Sequence, residues 1–259
     1  MKHVRFRDPA GTVREGRWTD VDGTPADADV VGNGGLVAFA DRAYEPDEVT
    51  LLPPAEPTKI LCIGLNYADH ADERDADLPD RPKLFLKPPN AVAAHGSAVP
   101  LLADKDRIDY EAELGVVIGA QCRNLDAAGA MDAVSGFTCL VDVSNRDDQD
   151  IEQNWVRGKA FDNAAPMGPV VADPGDVPPD ATIELRLNGE VRQSSSREHL
   201  IFPVPDLLAE ITRYLTLEPG DVVATGTPAG VGPLAPGDTV EVTVEGVGTL
   251  RHTVVAPES

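Results

Sequence analysis

What most restricts the fold of this chain is the length of its apolar runs. From Lys59 onward nearly all are short and end at turn or breaker residues, which suits buried strands better than helices. Strands are predicted over 60–65, 83–87, 108–118, 136–143, 167–172, 182–187, 221–225, 239–244 and 248–255, and helices only near 126–134 and 204–215. The turns Glu218-Pro219-Gly220-Asp221 and Ala235-Pro236-Gly237-Asp238 each launch an apolar strand. The N-terminal stretch alternates short apolar and polar segments with punctuation such as Gly32-Asn33-Gly34-Gly35, which predicts a small strand-rich unit. A Pro-rich joint, Pro53-Pro54-Ala55-Glu56-Pro57, closes it, so the expected division is 1–57 and 58–259. The expected fold class is α+β, mostly β.

At 259 residues, 42% hydrophobic and 25% charged, the chain can bury a proper core. Lys+Arg number 22 against 44 Asp+Glu, a net charge of −22. Such a surface repels phosphate backbones and anionic lipid, which argues against nucleic acid or membrane partners. It also suits molar salt, where screening removes the self-repulsion, although an ordinary acidic protein is the plainer alternative. Three widely spaced cysteines, Cys62, Cys122 and Cys139, form no disulfide framework or zinc motif and suit a reducing compartment. The start, Met1-Lys2-His3-Val4-Arg5-Phe6, has no apolar signal region, so a cytoplasmic protein is expected.

The candidate chemistry lies in carboxylates. If 108–118 is one strand, Tyr110, Ala112, Leu114, Val116 and Ile118 share one face, and Asp109, Glu111 and Glu113 the other. Same-face carboxylates about 7 Å apart repel unless they are solvated or share a cation. The alternation alone describes a solvent-facing strand at least as well. Asp142 shifts the balance, because it sits in the apolar run Phe137-Thr138-Cys139-Leu140-Val141-Asp142-Val143. A buried carboxylate must be hydrogen-bonded, paired or metal-bound. Three acidic oxygens without Cys or His suit Mg²⁺ or Mn²⁺ rather than zinc, and leave open coordination positions. The nearby acidic run Asp147, Asp148, Asp150, Glu152 lacks the pattern of a calcium loop and reads as acidic surface.

His70 and Glu73 fall three apart in a helical turn and so share a face, either as a surface pair or as an imidazole oriented for water activation. The segment is polar and Pro-flanked, which predicts mobility without ligand. Lys159 is the only lysine after Lys105, and beside glycine and aromatic residues it is a candidate charge stabiliser; a surface lysine is the alternative. The loop Ala224-Thr225-Gly226-Thr227-Pro228-Ala229-Gly230-Val231-Gly232 offers hydroxyls and backbone donors to an anion, but matches no phosphate-binding loop.

In order, Gly-Leu-Asn-Tyr-Ala-Asp-His (64–70), Phe-Leu-Lys-Pro-Pro (85–89), Asp-Tyr-Glu-Ala-Glu-Leu-Gly (109–115), Asp-Val-Ser-Asn-Arg-Asp (142–147), Gly-Lys-Ala-Phe-Asp (158–162) and Thr-Gly-Thr-Pro-Ala-Gly-Val-Gly (225–232) closely resemble the fumarylacetoacetate hydrolase family. The resemblance runs from about Lys59 to the C-terminus. It implies a rolled, mostly β catalytic domain, a small N-terminal accessory unit and a homodimer. It implies Glu111, Glu113 and Asp142 as ligands of Mg²⁺ or Mn²⁺, with catalytic Lys159 and Thr227 at the 2-oxo acid end of a small-molecule substrate, and Arg146 and Gly226 as further substrate-binding residues. By the same resemblance His70 and Glu73 form a water-activating pair on a lid, and Gln149 takes part in enol chemistry. Asn145 departs from the family's usual Ser-Ala-Arg-Asp stretch. The implied reactions share an enolate: C–C hydrolysis or decarboxylation first, isomerisation or hydration second. A catalytically silent protein stabilised by its metal is the competing class, and such a relic has no need of the His70–Glu73 pair.

Overall fold

The computed structural model describes residues 1–19, 36–40 and 42–257; the Gly32-Asn33-Gly34-Gly35 punctuation lies outside them. One large sheet dominates. It runs in the order Arg42–Tyr44, Leu36–Phe39, Val13–Thr19, Lys2–Arg7, Ala165–Ala172, Val134–Val141, Ala112–Ile118, Val222–Ala224, Ile60–Gly64, Lys83–Lys87. The N-terminal strands therefore extend the same sheet, through Lys2↔Ala172 and His3↔Val171. A five-stranded sheet of Glu190–Ser196, Thr182–Leu187, Thr239–Val244, Gly248–Val255 and Ala98–Pro100 packs across its middle strands. Covered on both faces, Ala112–Ile118 and Ala165–Ala172 are buried along their whole length, which is why their sequences are apolar without alternation.

The mostly β expectation holds, with local differences. The run 108–118 is two strands: Ile108–Tyr110 joins a small sheet with Ser144–Asn145 and Gly232–Pro233, Ala112–Ile118 joins the large one, and Glu111 is the break. The expected helix at 126–134 is only a 3₁₀ turn, Ala130–Ala133. The helix foreseen at 204–215 spans Val204–Thr212 and buries Leu207, Leu208 and Ile211. Strand Glu190–Ser196 was not expected; it is an exposed edge strand whose outer residues show no apolar rhythm. No helix among the described residues is long and apolar enough to cross a membrane.

The parallel pairing of Ile60–Gly64 with Val222–Ala224 organises the site. Both strands end at the same edge, so the segment after Gly64 and the loop after Ala224 emerge side by side. Asn66, fully buried, stitches them: its Nδ2 donates to Thr225 O at 2.7 Å and to Phe202 O at 3.2 Å. Gly226 at φ +96° is required there, since a Cβ would lie 2.8 Å from the Asn66 Cβ.

Candidate active site

Strand Val134–Val141 carries Asp142 at its end, fully buried, and the Asp142 N–H donates to the Glu111 carbonyl at 2.9 Å. The break at Glu111 is held open by Gln193, whose Oε1 accepts from the Ala112 N–H at 2.9 Å. Glu111 and Glu113 thus project beside Asp142, one oxygen of each lying within 4.8 Å of the others. Glu113 accepts the Gly226 N–H at 2.8 Å. Burial first, and then the neighbouring Asp142 and Glu111 charges, push the Glu113 carboxyl well above its ordinary range. A solvent-facing strand is excluded: Glu111, Glu113 and Asp142 are at most 7% exposed.

Cations answer this concentration of negative charge. Lys159, 2% exposed and so no surface lysine, places its Nζ 2.8 Å from Glu111 Oε2, 2.7 Å from Asp142 Oδ2 and 2.5 Å from Ser144 Oγ. Burial alone disfavours its charge, but Asp142 and Glu111 reverse that and raise its pKa. Arg146 donates from Nη2 to Glu111, from Nε to Asp109 at 2.8 Å and from Nη1 to Gln149 Oε1 at 2.6 Å. Burial opposes ionisation of Glu111, yet Lys159 and Arg146 hold its carboxyl far below the usual range.

Lys87, given no role by sequence reasoning, is fully buried with its Nζ 2.8 Å from Asp142 Oδ1. That contact falls outside hydrogen-bond geometry, leaving the oxygen's lone pairs unclaimed. Glu111, Glu113 and Asp142 therefore lie among Lys87, Arg146 and Lys159, while Asp109 pairs with Arg107 and Arg146. The donor set is all oxygen, and carboxylates sharing one cation at about 2.0–2.3 Å lie within about 4.6 Å of one another. With one oxygen of each already within 4.8 Å of the others and all donors oxygen, Glu111, Glu113 and Asp142 fit a hard divalent ion.

Helix Ala68–Glu73 closes the pocket. His70 is buried, its Nδ1 2.9 Å from Glu73 Oε2, and Glu73 Oε1 accepts from the Gly230 N–H at 3.0 Å. Ser195 Oγ donates to Asp69 Oδ2 at 2.5 Å on the helix's other side. The expected lid is thus docked on the 225–232 loop. Beneath it lies a cavity of ≈ 240 Å³ lined by His70, Glu111, Glu113, Arg146, Gln149, Lys159 and Thr227, with Phe85 and Trp155 as aromatic wall.

The remaining candidates fall as follows. Thr227 Oγ1 accepts from Gln193 Nε2 at 2.9 Å at the pocket wall. Gln149 reaches the cluster only through Arg146. The Gly226 N–H is directed at Glu113, so it serves a ligand carboxylate rather than an open anion site. Asp109 is diverted from the triad to Arg107 and Arg146. Asn145 donates to Asp148 Oδ2 at 2.6 Å and to Arg157 O at 3.3 Å, and Asp148 also pairs with Lys105 at 2.6 Å. Asp148 is therefore buried structure and not acidic surface. Lys87, Gln193 and Ser144 were missed. A lysine closing the apolar strand Lys83–Lys87 was the one available signal.

A mostly β fold with a buried carboxylate cluster, flanking ammonium groups and an imidazole–carboxylate pair over one cavity is the framework of a small-molecule enzyme. The chain belongs to the fumarylacetoacetate (FAA) hydrolase family, whose C-terminal model matches residues 59–255. Oxaloacetate tautomerase YisK of Bacillus subtilis is 39% identical over 82% of this chain and 75% of its own length. The crystal structure of 5-carboxymethyl-2-hydroxymuconate delta-isomerase from Mycobacterium smegmatis superposes at TM-score 0.87, with 36% identity over 100% of both chains. Fumarylpyruvate hydrolase from Pseudomonas aeruginosa, solved with Mn²⁺ and pyruvate, has TM-score 0.72 and 31% identity, covering 84% of this chain and 93% of the other.

Proposed function

We propose that this protein is a Mg²⁺- or Mn²⁺-dependent enzyme that shifts protons between enol and keto forms of a small 2-oxo acid. The observation that carries the reading is the placement of Lys159 between Glu111 and Asp142, in the same cavity as His70. A divalent cation held by Glu111, Glu113 and Asp142 would polarise a chelating keto oxygen as a Lewis acid. It would also add positive charge to the cluster, which favours an anionic substrate.

The chain's own residues supply the rest. Lys159 and Arg146 present fixed donors to charge that develops on the substrate. The Glu73 carboxylate fixes the ring of His70, which takes or returns the proton at the carbon beside the keto group. Phe85, Trp155 and the docked helix exclude water, and Thr227 lines the wall by which the substrate's oxygens would lie. A cavity of ≈ 240 Å³ lies below the roughly 300–1,000 Å³ typical of drug-sized ligands, in favour of a short substrate. The similarity to a tautomerase and a delta-isomerase supports the same choice. All residues lining the pocket fall between Ile63 and Thr227, which favours 58–259 as the catalytic unit and 1–57 as an accessory.

Hydrolysis of an acylpyruvate is the second reading, since a His70 held by Glu73 can equally activate water. The test compares three rates in wild type and Glu73→Ala with Mg²⁺: ketonisation of enol oxaloacetate, acylpyruvate hydrolysis and oxaloacetate decarboxylation. Ketonisation should dominate in the wild type and fall about a hundredfold or more in the variant. Decarboxylation needs only an electron sink and should fall far less. Dominant hydrolysis would install the second reading, and equal losses in all three would reduce the pair to a closing device.

A further inference from the structure

Strand Glu190–Ser196 lies at the exposed edge of the five-stranded sheet, and the one buried residue in it is polar, Gln193. The strand's register explains why this side chain points inward. Counting from the turn at Asn188 and Gly189, Leu187 pairs with Glu190 and Arg186 with Val191, so a regular ladder would set Arg192 opposite the buried Leu185. The register shifts by one residue there and sets Gln193 opposite Leu185 instead. Bulges of this kind re-aim a side chain beside active sites. Gly230 of the 225–232 loop, at φ +99°, is pressed onto the bulge: a Cβ there would lie 2.0 Å from the Arg192 carbonyl oxygen.

Both ends of the Gln193 amide are engaged. Its Oε1 accepts the Ala112 N–H at 2.9 Å, and its Nε2 donates to Thr227 Oγ1 at 2.9 Å and to Pro228 O at 2.8 Å. A flipped amide would set N–H against N–H at Ala112 and oxygen against oxygen at Pro228, so only one orientation is tolerated. That orientation decides the polarity of Thr227. Its oxygen accepts from Gln193, and its own hydrogen finds no acceptor among the described residues, at the wall of the cavity. The hydroxyl is thus offered to the cavity as a donor, which suits a carboxylate or keto oxygen and disfavours an N–H-bearing group.

One amide therefore touches both halves of the site. Ala112 stands between Glu111 and Glu113 in the chain, and Thr227 lines the cavity with them. We propose that Gln193 is a positioning residue: its nitrogen fixes the Thr227 hydroxyl as a donor to a substrate oxygen, and its oxygen holds the strand that carries the cation ligands. This rests on the 2-oxo acid reading, and adds to it the residue that sets how Thr227 binds.

Steady-state ketonisation of enol oxaloacetate by the full chain with Mg²⁺, with Mg²⁺ affinity measured by calorimetry, separates the two ends. Gln193→Glu keeps an acceptor for the Ala112 N–H but leaves at most one proton for Thr227 Oγ1 and Pro228 O. Its KM should rise about tenfold, the size of one charge-assisted hydrogen bond, with kcat and Mg²⁺ affinity changed far less. Gln193→Met loses both ends and should weaken Mg²⁺ binding as well. Thr227→Val should raise KM as Gln193→Glu does, and Thr227→Ser should not. Adding Gln193→Glu to Thr227→Val should cost little more, because both remove the same contact. An unmoved KM in Gln193→Glu, or losses that add in full, would overturn the positioning role while leaving the 2-oxo acid reading standing. Should the Gln193 variants not fold, equal KM values in Thr227→Val and Thr227→Ser would overturn it. A wild type without Mg²⁺-dependent turnover would overturn that reading, and the positioning role with it.

Discussion

Replacing Lys159 by Met removes one ammonium and little volume from the centre of the cluster. The change strips 2.8 and 2.7 Å contacts from Glu111 and Asp142 and a 2.5 Å contact from Ser144, all buried. Breaking a buried ion pair by deleting one partner typically costs about 3–5 kcal/mol, since the remaining charge is left uncompensated. For a chain of this size each kcal/mol lowers Tm by roughly 2–4 °C, so the metal-free variant should melt roughly 6–20 °C below the wild type. A divalent ion on Glu111, Glu113 and Asp142 supplies positive charge to the same oxygens. The deficit should therefore be smaller in excess Mg²⁺ than in EDTA, and Mg²⁺ should raise Tm more in the variant than in the wild type. Turnover should still fall about a hundredfold or more, because the cation replaces Lys159's charge but not its donor facing the substrate. Thermal melts in EDTA and in Mg²⁺, with steady-state rates alongside, make the comparison. A variant that melts with the wild type in EDTA would refute the compensation argument, and near-normal turnover would remove Lys159 from the reaction.

Glu111→Gln should abolish activity and Mg²⁺-induced thermal stabilisation while leaving the fold recognisable by circular dichroism; unchanged turnover would dissolve the site assignment. With a net charge of −22, Tm should rise markedly between low and molar KCl as self-repulsion is screened, and a Tm independent of KCl would count against the salt-adapted reading. His252 is fully buried, and burial pushes its pKa down to about 4 against a contact with the Thr253 backbone. The unfolded chain then binds the extra proton between an ordinary value of about 6.5 and about 4, so stability should be lost as pH falls through that window, by about 3 kcal/mol in all. Urea melts across that range should show the slope in the wild type and lose it in His252→Leu; an unchanged slope would assign it to other groups.

Much of this protein was legible before any coordinates. Strand-length apolar runs between turn residues predict a mostly β fold, because a run too short for a buried helix has few other ways to hide. Asp142 in an apolar run announced an acid needing a cation, since an unpaired buried charge is not tolerated. What sequence spacing cannot report is which face becomes covered and which distant group arrives there. Alternation placed Asp109 beside Glu111 and Glu113, yet the break at Glu111 puts Asp109 in a different sheet with Arg107 and Arg146. The edge strand Glu190–Ser196 stayed invisible because strand pairing, not apolar rhythm, defines it. Lys159 could be read as surface or site until the fold carried it against Glu111 and Asp142, and Lys87 had no role until Asp142 arrived beside it. Local pattern sets how each segment hides its apolar side chains. Which charges then share a low-dielectric space is decided by contacts between segments far apart in the chain, and there electrostatics becomes strong enough for chemistry.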